Sequence, residues 1–185
     1  MPRQRLVIVA SVIGLAFMVA SNAGATHVPQ RPPVIVLDSG SPNQRAVWGT
    51  FCVTVPPDPG KSVYVTLCAD AADDSEPRRL SVVRPGERIT IAFRKTKKVR
   101  GIVGVYKRGC EDEPPRATFK LRSAKTRWVV PREFRWRFEL SIFARFETRD
   151  GRSGDTEAAL GLFVSTTRER GLLPNRDRLD CGEPY

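Results

Sequence analysis

Residues 136–146 read WRFELSIFARF, and this stretch decides the fold class. Apolar side chains occupy every second position and polar side chains lie between them, with Phe143 as the exception. A period of two places alternate side chains on opposite faces of a β-strand, so that one face is buried and the other faces water. We therefore predict a long strand here. It returns through the glycine-containing loop 147–155 and pairs as a hairpin with residues 158–164.

The rest of the chain repeats the strand signal at short intervals, with proline- and glycine-rich turns between and no long helical period. This pattern predicts an all-β fold, an immunoglobulin-like antiparallel β-sandwich stapled by disulfides. Pro85-Gly86 fits a type II turn, which either closes a hairpin or carries the chain from one sheet to the other. The further predicted strands are 34–38, 46–55, 63–69, 80–83, 88–93, 101–106 and the weaker 117–121 and 127–130.

The first 25 residues predict a secretory signal peptide. Arg3 and Arg5 form a basic head, residues 6–20 carry no charge, and Ala23-Gly24-Ala25 offers a cleavage site. The apolar run is shorter than the roughly 20 residues of a membrane span. An uncleaved signal anchor is the alternative, and no later stretch is apolar enough to cross a membrane. We expect an extracytoplasmic protein with a signal at 1–25, a β-sandwich domain at 26–166 and an irregular tail at 167–185.

Four cysteines follow the predicted cleavage point: Cys52, Cys68, Cys110 and Cys181. An even number in an exported chain indicates two disulfides, for which three pairings exist. We predict Cys52–Cys68, which would join two sequence-adjacent strands, and Cys110–Cys181, which would tether the tail. No pair has Cys-x-x-Cys spacing, which argues against thioredoxin-like redox chemistry and against a zinc knuckle.

The chain is strongly basic, with a formal net charge of +11. Residues 94–137 hold 15 Lys and Arg against 4 acids, and residues 95–100 are predicted to form a charged loop. A basic surface attracts anionic polymers, although an arginine-rich composition alone is the competing explanation. No nucleic-acid partner is expected. The candidate anion-binding residues are Arg94, Lys95, Lys97, Lys98 and Arg100.

Catalytic and metal-binding patterns are weak. The single histidine, His27, lies close to the mature N-terminus, whereas a Ser-His-Asp or Cys-His site needs a rigidly held histidine. The glycines of residues 150–155 fit a hairpin turn better than a ligand cradle. We predict no catalytic residue, metal or cofactor. An acidic loop could bind calcium but lacks EF-hand spacing; its acids are Asp70, Asp73, Asp74 and Glu76.

The three tryptophans, Trp48, Trp128 and Trp136, are the remaining candidates for a binding surface. They could line a carbohydrate or peptide groove, because an aromatic ring offers a large contact area. Two of the three lie in apolar alternation, which favours a place in the core. We therefore expect most of this aromatic surface to be buried.

Three short motifs resemble an uncharacterised group of small exported bacterial domains. They are Gly49-Thr50-Phe51-Cys52, Leu67-Cys68-Ala69-Asp70 and Gly154-Asp155-Thr156-Glu157-Ala158-Ala159, and Arg84-Pro85-Gly86-Glu87 fits the group's Pro-Gly turn. The resemblance covers about residues 34–164 and implies a β-sandwich with a Cys52–Cys68 bridge. This chain departs from the group at Val53, where an aromatic is usual, and in having Cys110 and Cys181. The group has no established activity, so the resemblance implies a fold and no function.

These observations predict a secreted, non-catalytic β-sandwich that contacts anionic envelope polymers through its basic segment. The alternative is an extracellular protein-binding module, an inhibitor or adaptor, that uses the loops 147–155 and 70–79. A third hypothesis is a carboxylate-dependent hydrolase, because the chain has 20 acids and spacing alone cannot identify a catalytic pair.

Overall fold

The computed structural model describes residues 31–39, 43–60, 62–70, 77, 79–108, 113–166 and, for the backbone, 172–174. Over these ranges the chain forms strands and no helix. The strands are β1 Ile35–Asp38, β2 Gln44–Arg45, β3 Val47–Val55, β4 Val65–Ala69, β5 Arg79–Val83, β6 Arg88–Phe93, β7 Thr96–Lys107, β8 Ala117–Leu121, β9 Lys125–Val129, β10 Trp136–Thr148, β11 Ser153–Val164 and β12 Leu172–Pro174.

Two sheets pack together as a sandwich. The four-stranded sheet has the order β2-β1-β6-β9, and the larger sheet has the order β12-β5-β11-β10-β7-β8, with β3 beside β11 and β4 beside β3. Among the described strands, β5 and β11 run parallel and every other pair is antiparallel. One edge of β11 serves two partners, because Ser153–Ala159 pair with β3 and Gly161–Val164 pair with β5. The predicted β-sandwich is confirmed.

The core lies between the sheets and depends on the alternation of β10. Leu140 and Ile142 are fully buried, whereas Phe143, on the opposite face of the strand, is 47% exposed. The predicted hairpin of β10 with β11 is present. Burying each such aliphatic side chain stabilises the fold by about 1.5–3 kcal/mol. Trp136 departs from the prediction: its φ is 75°, a left-handed conformation, and its side chain is 47% exposed. The buried row therefore begins at Phe138.

The Pro85-Gly86 turn carries the chain from the larger sheet to the smaller one. Glu87 N–H donates to the Arg84 carbonyl at 3.0 Å, and Gly86 has φ 78°, as position three of a type II turn requires. β5 pairs with β11 and β12, whereas β6 pairs with β1 and β9. Of the two alternatives for this turn, the sheet-to-sheet connection is the observed one.

The predicted charged loop 95–100 is wrong. Only Arg94 and Lys95 form the turn, with Lys95 at φ 57°, and β7 begins at Thr96. Val99 is buried and pairs with Phe146 of β10, so this segment is a strand with one apolar face. The loop predicted at 147–155 is likewise shorter, since β10 extends to Thr148 and β11 begins at Ser153.

The Cys52–Cys68 disulfide is confirmed. The two residues lie directly opposite each other on β3 and β4, with their Cα atoms 4.0 Å apart. Among the described strands β4 pairs with β3 alone, so the disulfide fastens an edge strand to the body of the larger sheet. The predicted Cys110–Cys181 bridge lies outside the described residues, as does the predicted signal peptide.

Candidate anion-binding site

A cleft of about 580 Å³ opens at one end of the sandwich. Its walls come from the segment before β1, from β1 and β2, from the β6–β7 turn and from the β10–β11 hairpin. Pro33, Val34 and Val36 give it an apolar floor, and no carboxylate lines it among the described residues. We call it the cationic cleft after its five charged side chains, which are Arg31, Arg45, Arg94, Lys95 and Arg152.

Backbone hydrogen bonds hold the parts of the cationic cleft together. The Arg94 N–H donates to the Val34 carbonyl at 2.8 Å, which fixes the β6–β7 turn to the segment before β1. The Arg149 N–H donates to the Lys95 carbonyl at 3.1 Å, which fixes the same turn to the β10–β11 hairpin. The Thr96 hydroxyl donates to the Arg94 carbonyl at 3.0 Å. Three segments distant in sequence therefore form one preorganised surface.

Asp150 orients Arg152 at the edge of the cleft. The guanidinium donates to the carboxylate through Nε at 3.0 Å and approaches it through Nη2 at 2.9 Å. Arg152, followed by the hydroxyl of Thr148, lowers the pKa of Asp150 to about 2. Gly151, at φ 87°, supplies the left-handed residue of this hairpin loop. Asp150 is therefore ionised at neutral pH and holds Arg152 in place.

The other four cations of the cleft, Arg31, Arg45, Arg94 and Lys95, are exposed. No described carboxylate forms an ion pair with any of them. A concave surface with charges of one sign concentrates the electrostatic field and attracts counter-ions. Guanidinium groups also present paired N–H donors that match the oxygens of phosphate or carboxylate. The cleft thus has the charge and the donors of an anion-binding site.

The structure divides the five predicted anion-binding residues. Arg94 and Lys95 line the cationic cleft. Lys97 and Lys98 instead approach Glu147, with Nζ–Oε distances of 3.2 Å and 3.1 Å. Lys97 is the extra residue of a β-bulge, so consecutive lysines reach the same carboxylate. Hydrogen bonds from Lys98 and then from Lys97 lower the pKa of Glu147.

Arg100, the fifth of these residues, is exposed on the larger sheet and lies opposite Arg145. Sequence reasoning also missed three cations of the cleft, which are Arg31, Arg45 and Arg152. Arg31 and Arg45 stand apart from any run of basic residues, and Arg152 lies in a hairpin of mixed charge. Contacts between distant segments bring them to the cleft, such as the pairing of Arg45 with Val36. No sequence pattern could have found this set.

Several other candidate sites lie outside the described residues: His27, Asp73, Asp74 and Glu76. Among the described residues, Asp70 included, no group of three or more His, Cys, Asp or Glu side chains is placed to hold a metal ion. The two glycines of residues 150–155 have structural roles, one in the hairpin turn and one in the close approach of β3 to β11. Gly151 makes the turn, and at Gly154 a Cβ atom would lie 2.0 Å from the Cys52 carbonyl oxygen.

Two of the three tryptophans pack against the core, but Trp136, which the alternation of residues 136–146 placed in the buried row, is not one of them. Trp48 and Trp128 are partly buried there, and Trp128 stacks on Phe119 with ring centroids 5.0 Å apart. Trp136 is the exposed one and lines a separate cavity of about 410 Å³ with Phe134 and Phe138. The aromatic surface is therefore mostly structural, and it lies apart from the cationic cleft.

The fold and the cleft together define a disulfide-stapled β-sandwich with a preformed cationic site. Comparison with protein-family models, with curated proteins and with solved structures gives no match for this chain.

Proposed function

We propose that this protein is exported and binds an anionic polymer of the cell envelope in its cationic cleft, without catalysing a reaction. The observation that carries the proposal is the meeting of five cations, from four parts of the chain, in a cleft whose described lining has no carboxylate. The Cys52–Cys68 disulfide is compatible with an oxidising, extracytoplasmic compartment. No helix in the described residues is long and apolar enough to cross a membrane. That the protein is exported, and that its sandwich is immunoglobulin-like, are both parts of this proposal.

The chemistry of the cleft favours binding over catalysis. Its cations supply charge and hydrogen-bond donors, while the acid beside it, Asp150, has a pKa of about 2. A general acid or base works best when its pKa lies near the working pH, so Asp150 is unsuited to proton transfer at neutral pH. The Thr148 hydroxyl is itself engaged by Asp150. These groups position Arg152 for contact with an anion.

Binding to purified cell walls and to anionic liposomes across a salt series tests the proposal. Binding should weaken steeply as salt rises, because released counter-ions drive the association. Arg94→Glu with Lys95→Glu should weaken it by about tenfold or more, equivalent to about 1.4 kcal/mol.

The matched control is Arg100→Glu with Lys120→Glu, which makes the same charge change on exposed strand positions of the larger sheet. Its loss should stay below about threefold, since those residues lie outside the cleft. Equal losses for the two double variants, or retention that does not change with salt, would contradict the proposal.

A second candidate function, an extracellular protein-binding module, is favoured by the edge strand β4 and the residues just before it. Val63, Tyr64 and Val65 are 71%, 66% and 50% exposed, and residues 62–69 carry no charge. An edge of this kind accepts an extended segment of another protein as an added strand. Val63→Lys with Val65→Lys should then abolish co-purification of one defined partner, while the cleft variant keeps it. Co-purification that is insensitive to the β4 change would remove this candidate.

A further inference from the structure

The outer face of the four-stranded sheet is basic. Its register places Arg45 opposite Val36, Val36 opposite Ala92, and Ala92 opposite Lys125, so these side chains share one outward row. Arg127 follows in the next row and Arg88 in the third. We call this surface the basic face; its exposed cations are Arg45, Arg88, Lys125 and Arg127. Asp38 is the one acid that these four strands place on it.

The basic face continues directly from the cationic cleft. Val36 and Arg45 belong to both, since they line the cleft and also begin the first outward row. Strands lie about 4.8 Å apart and alternate residues about 6.8 Å apart, so Arg45 to Lys125 spans about 14 Å and Arg127 lies about 7 Å further. A single small anion cannot reach across that distance, whereas an extended chain can.

The side chains of the cleft and of the basic face indicate which kind of polymer would bind there. Neither the cleft lining nor the outward positions of these four strands include an aromatic side chain among the described residues. Proteins that hold single-stranded nucleic acid combine basic grooves with aromatic rings on which the bases stack. The surface offers charge without stacking platforms, which suits a polymer that has anionic groups and no bases.

We propose that the ligand is a flexible linear polyanion that enters the cationic cleft and lies across the basic face. The proposal rests on the anion-binding function of the cleft and assigns its ligand class. The shared chemistry is a chain that repeats phosphate or carboxylate groups. Six of the eight cations along the path are arginine, whose N–H fork pairs with either group. Cleft and face then act together, because each further contact made by a bound chain is intramolecular.

A length series distinguishes this ligand from a small anion. Orthophosphate, tripolyphosphate and long-chain inorganic polyphosphate are titrated calorimetrically into the protein with its disulfides intact, and affinity is expressed per phosphate unit. The long chain should bind about tenfold or more tightly than tripolyphosphate, because it gains the contacts of the basic face. Polyglutamate, in a parallel titration, shows whether a carboxylate chain binds in the same way; the same length gain with either polymer supports the proposal.

Three double variants show which residues provide the higher affinity for the long chain. Lys125→Glu with Arg127→Glu should remove the advantage of the long chain and keep tripolyphosphate affinity. It should also reduce the slope of log Kd against log salt by about 1–2. Arg94→Glu with Lys95→Glu should weaken every chain length. Arg100→Glu with Lys120→Glu is the control of equal charge change. If charge reversal impairs folding, as judged by circular dichroism, Lys125→Gln with Arg127→Gln replaces it.

The outcomes separate this inference from the function on which it rests. Two results would contradict binding across the basic face and leave the function of the cleft intact. One is tripolyphosphate binding at the cleft without higher affinity for longer chains. The other is a higher affinity for long chains that persists in the Lys125 and Arg127 variants. Cleft variants that match the wild-type protein on cell walls, liposomes and every phosphate overturn both the inference and the function.

Discussion

The two sheets of the sandwich share one core but differ in the charge of their outer faces. On the four-stranded sheet four exposed cations stand with a single acid, Asp38. On the larger sheet acids lie among the cations: Lys98 lies opposite Glu147, and Arg145 lies between Asp155 on one side and Arg100 on the other. Cross-strand pairs of opposite charge stabilise a sheet modestly, whereas like charges side by side oppose it.

This difference bears on the origin of the net charge. An arginine-rich composition acting alone would leave both outer faces equally basic. Instead four acids stand among the cations on the outer face of the larger sheet, whereas the four-stranded sheet has one acid beside four cations; the four are Glu139, Glu147, Asp155 and Glu157. An uncompensated surface of one sign favours association with a counter-charged partner more than it favours the fold. The uneven distribution therefore favours a binding role for the four-stranded side.

The largest effect that separates structural and binding roles is expected from the disulfide. Cys52→Ser with Cys68→Ser should lower the free energy of unfolding by about 3 kcal/mol, the value for closing a loop of about this length. Urea denaturation measures the loss. Polyphosphate affinity of the folded variant should stay unchanged, because neither cysteine lines the cleft. A matching loss of affinity would show that the larger sheet also carries the ligand.

The next effect is expected where the two sheets meet. The Ser81 hydroxyl donates to the Gln44 side chain at 3.0 Å, and the Gln44 amide donates to the Arg79 carbonyl. Both side chains are buried, so Gln44→Ala leaves the Ser81 hydroxyl without its hydrogen-bond partner. The free energy of unfolding should fall by about 1–3 kcal/mol.

Adding Ser81→Ala to Gln44→Ala should recover part of that loss, as a denaturation-based double-mutant cycle would show. Strictly additive losses would mean that the two side chains act independently. Because Gln44 precedes Arg45, the single variant also tests whether the buried link positions a cleft cation.

A smaller effect is expected from unbalancing the larger sheet. Glu147→Gln removes the carboxylate that Lys97 and Lys98 share, and both lysines are exposed. Polyphosphate affinity at low salt should rise by about twofold, and the gain should vanish at high salt because it is unspecific attraction. Calorimetry with Glu157→Gln as control measures it. A tenfold gain that resists salt would identify the larger sheet as the binding face.

The smallest effect concerns acid pH. The pKa of Asp150 is lowered from 3.8 to about 2 in the folded protein, so its stabilising contribution is present above pH 4 and is lost as pH falls towards 2. The difference in Tm between the wild-type protein and Asp150→Asn should therefore shrink over that range. Scanning calorimetry at pH 6, 4 and 2 measures it. A difference that stays constant would mean that the carboxylate is not held by Arg152.

The fold was largely predictable because its signal is local. Alternation over 138–146 specifies a strand whatever the rest of the chain does, and Pro85-Gly86 specifies a turn. The prediction of a loop at 95–100 was wrong because four of these six residues are charged, which obscured the buried Val99 and the bulge at Lys97. The prediction that Trp136 is buried was wrong because its left-handed φ ends the alternation at that residue. The periodicity of a sequence carries no information about a single backbone angle.

The site was predictable only in part because it is not local. Arg94 and Lys95 were predicted because they belong to a run of basic residues. The same run led to the prediction of Lys97, Lys98 and Arg100, which the geometry of β7 places outside the cleft. Arg45 and Arg152 enter the cleft through pairing registers and turn contacts between distant segments. Such contacts depend on which strands pair, and that choice is made by the whole chain.

The shared edge of β11 has a consequence for the order in which the molecule folds. β3 and β5 precede β11 by about 100 and 80 residues, yet each pairs with its own half of that one strand. Contacts between segments so distant in sequence give a high contact order, which slows folding to the millisecond-to-second range. A nascent chain that ends before residue 153 leaves β3 and β5 without their central partner. The larger sheet is thus assembled around a strand that is synthesised after most of the sheet's other described strands.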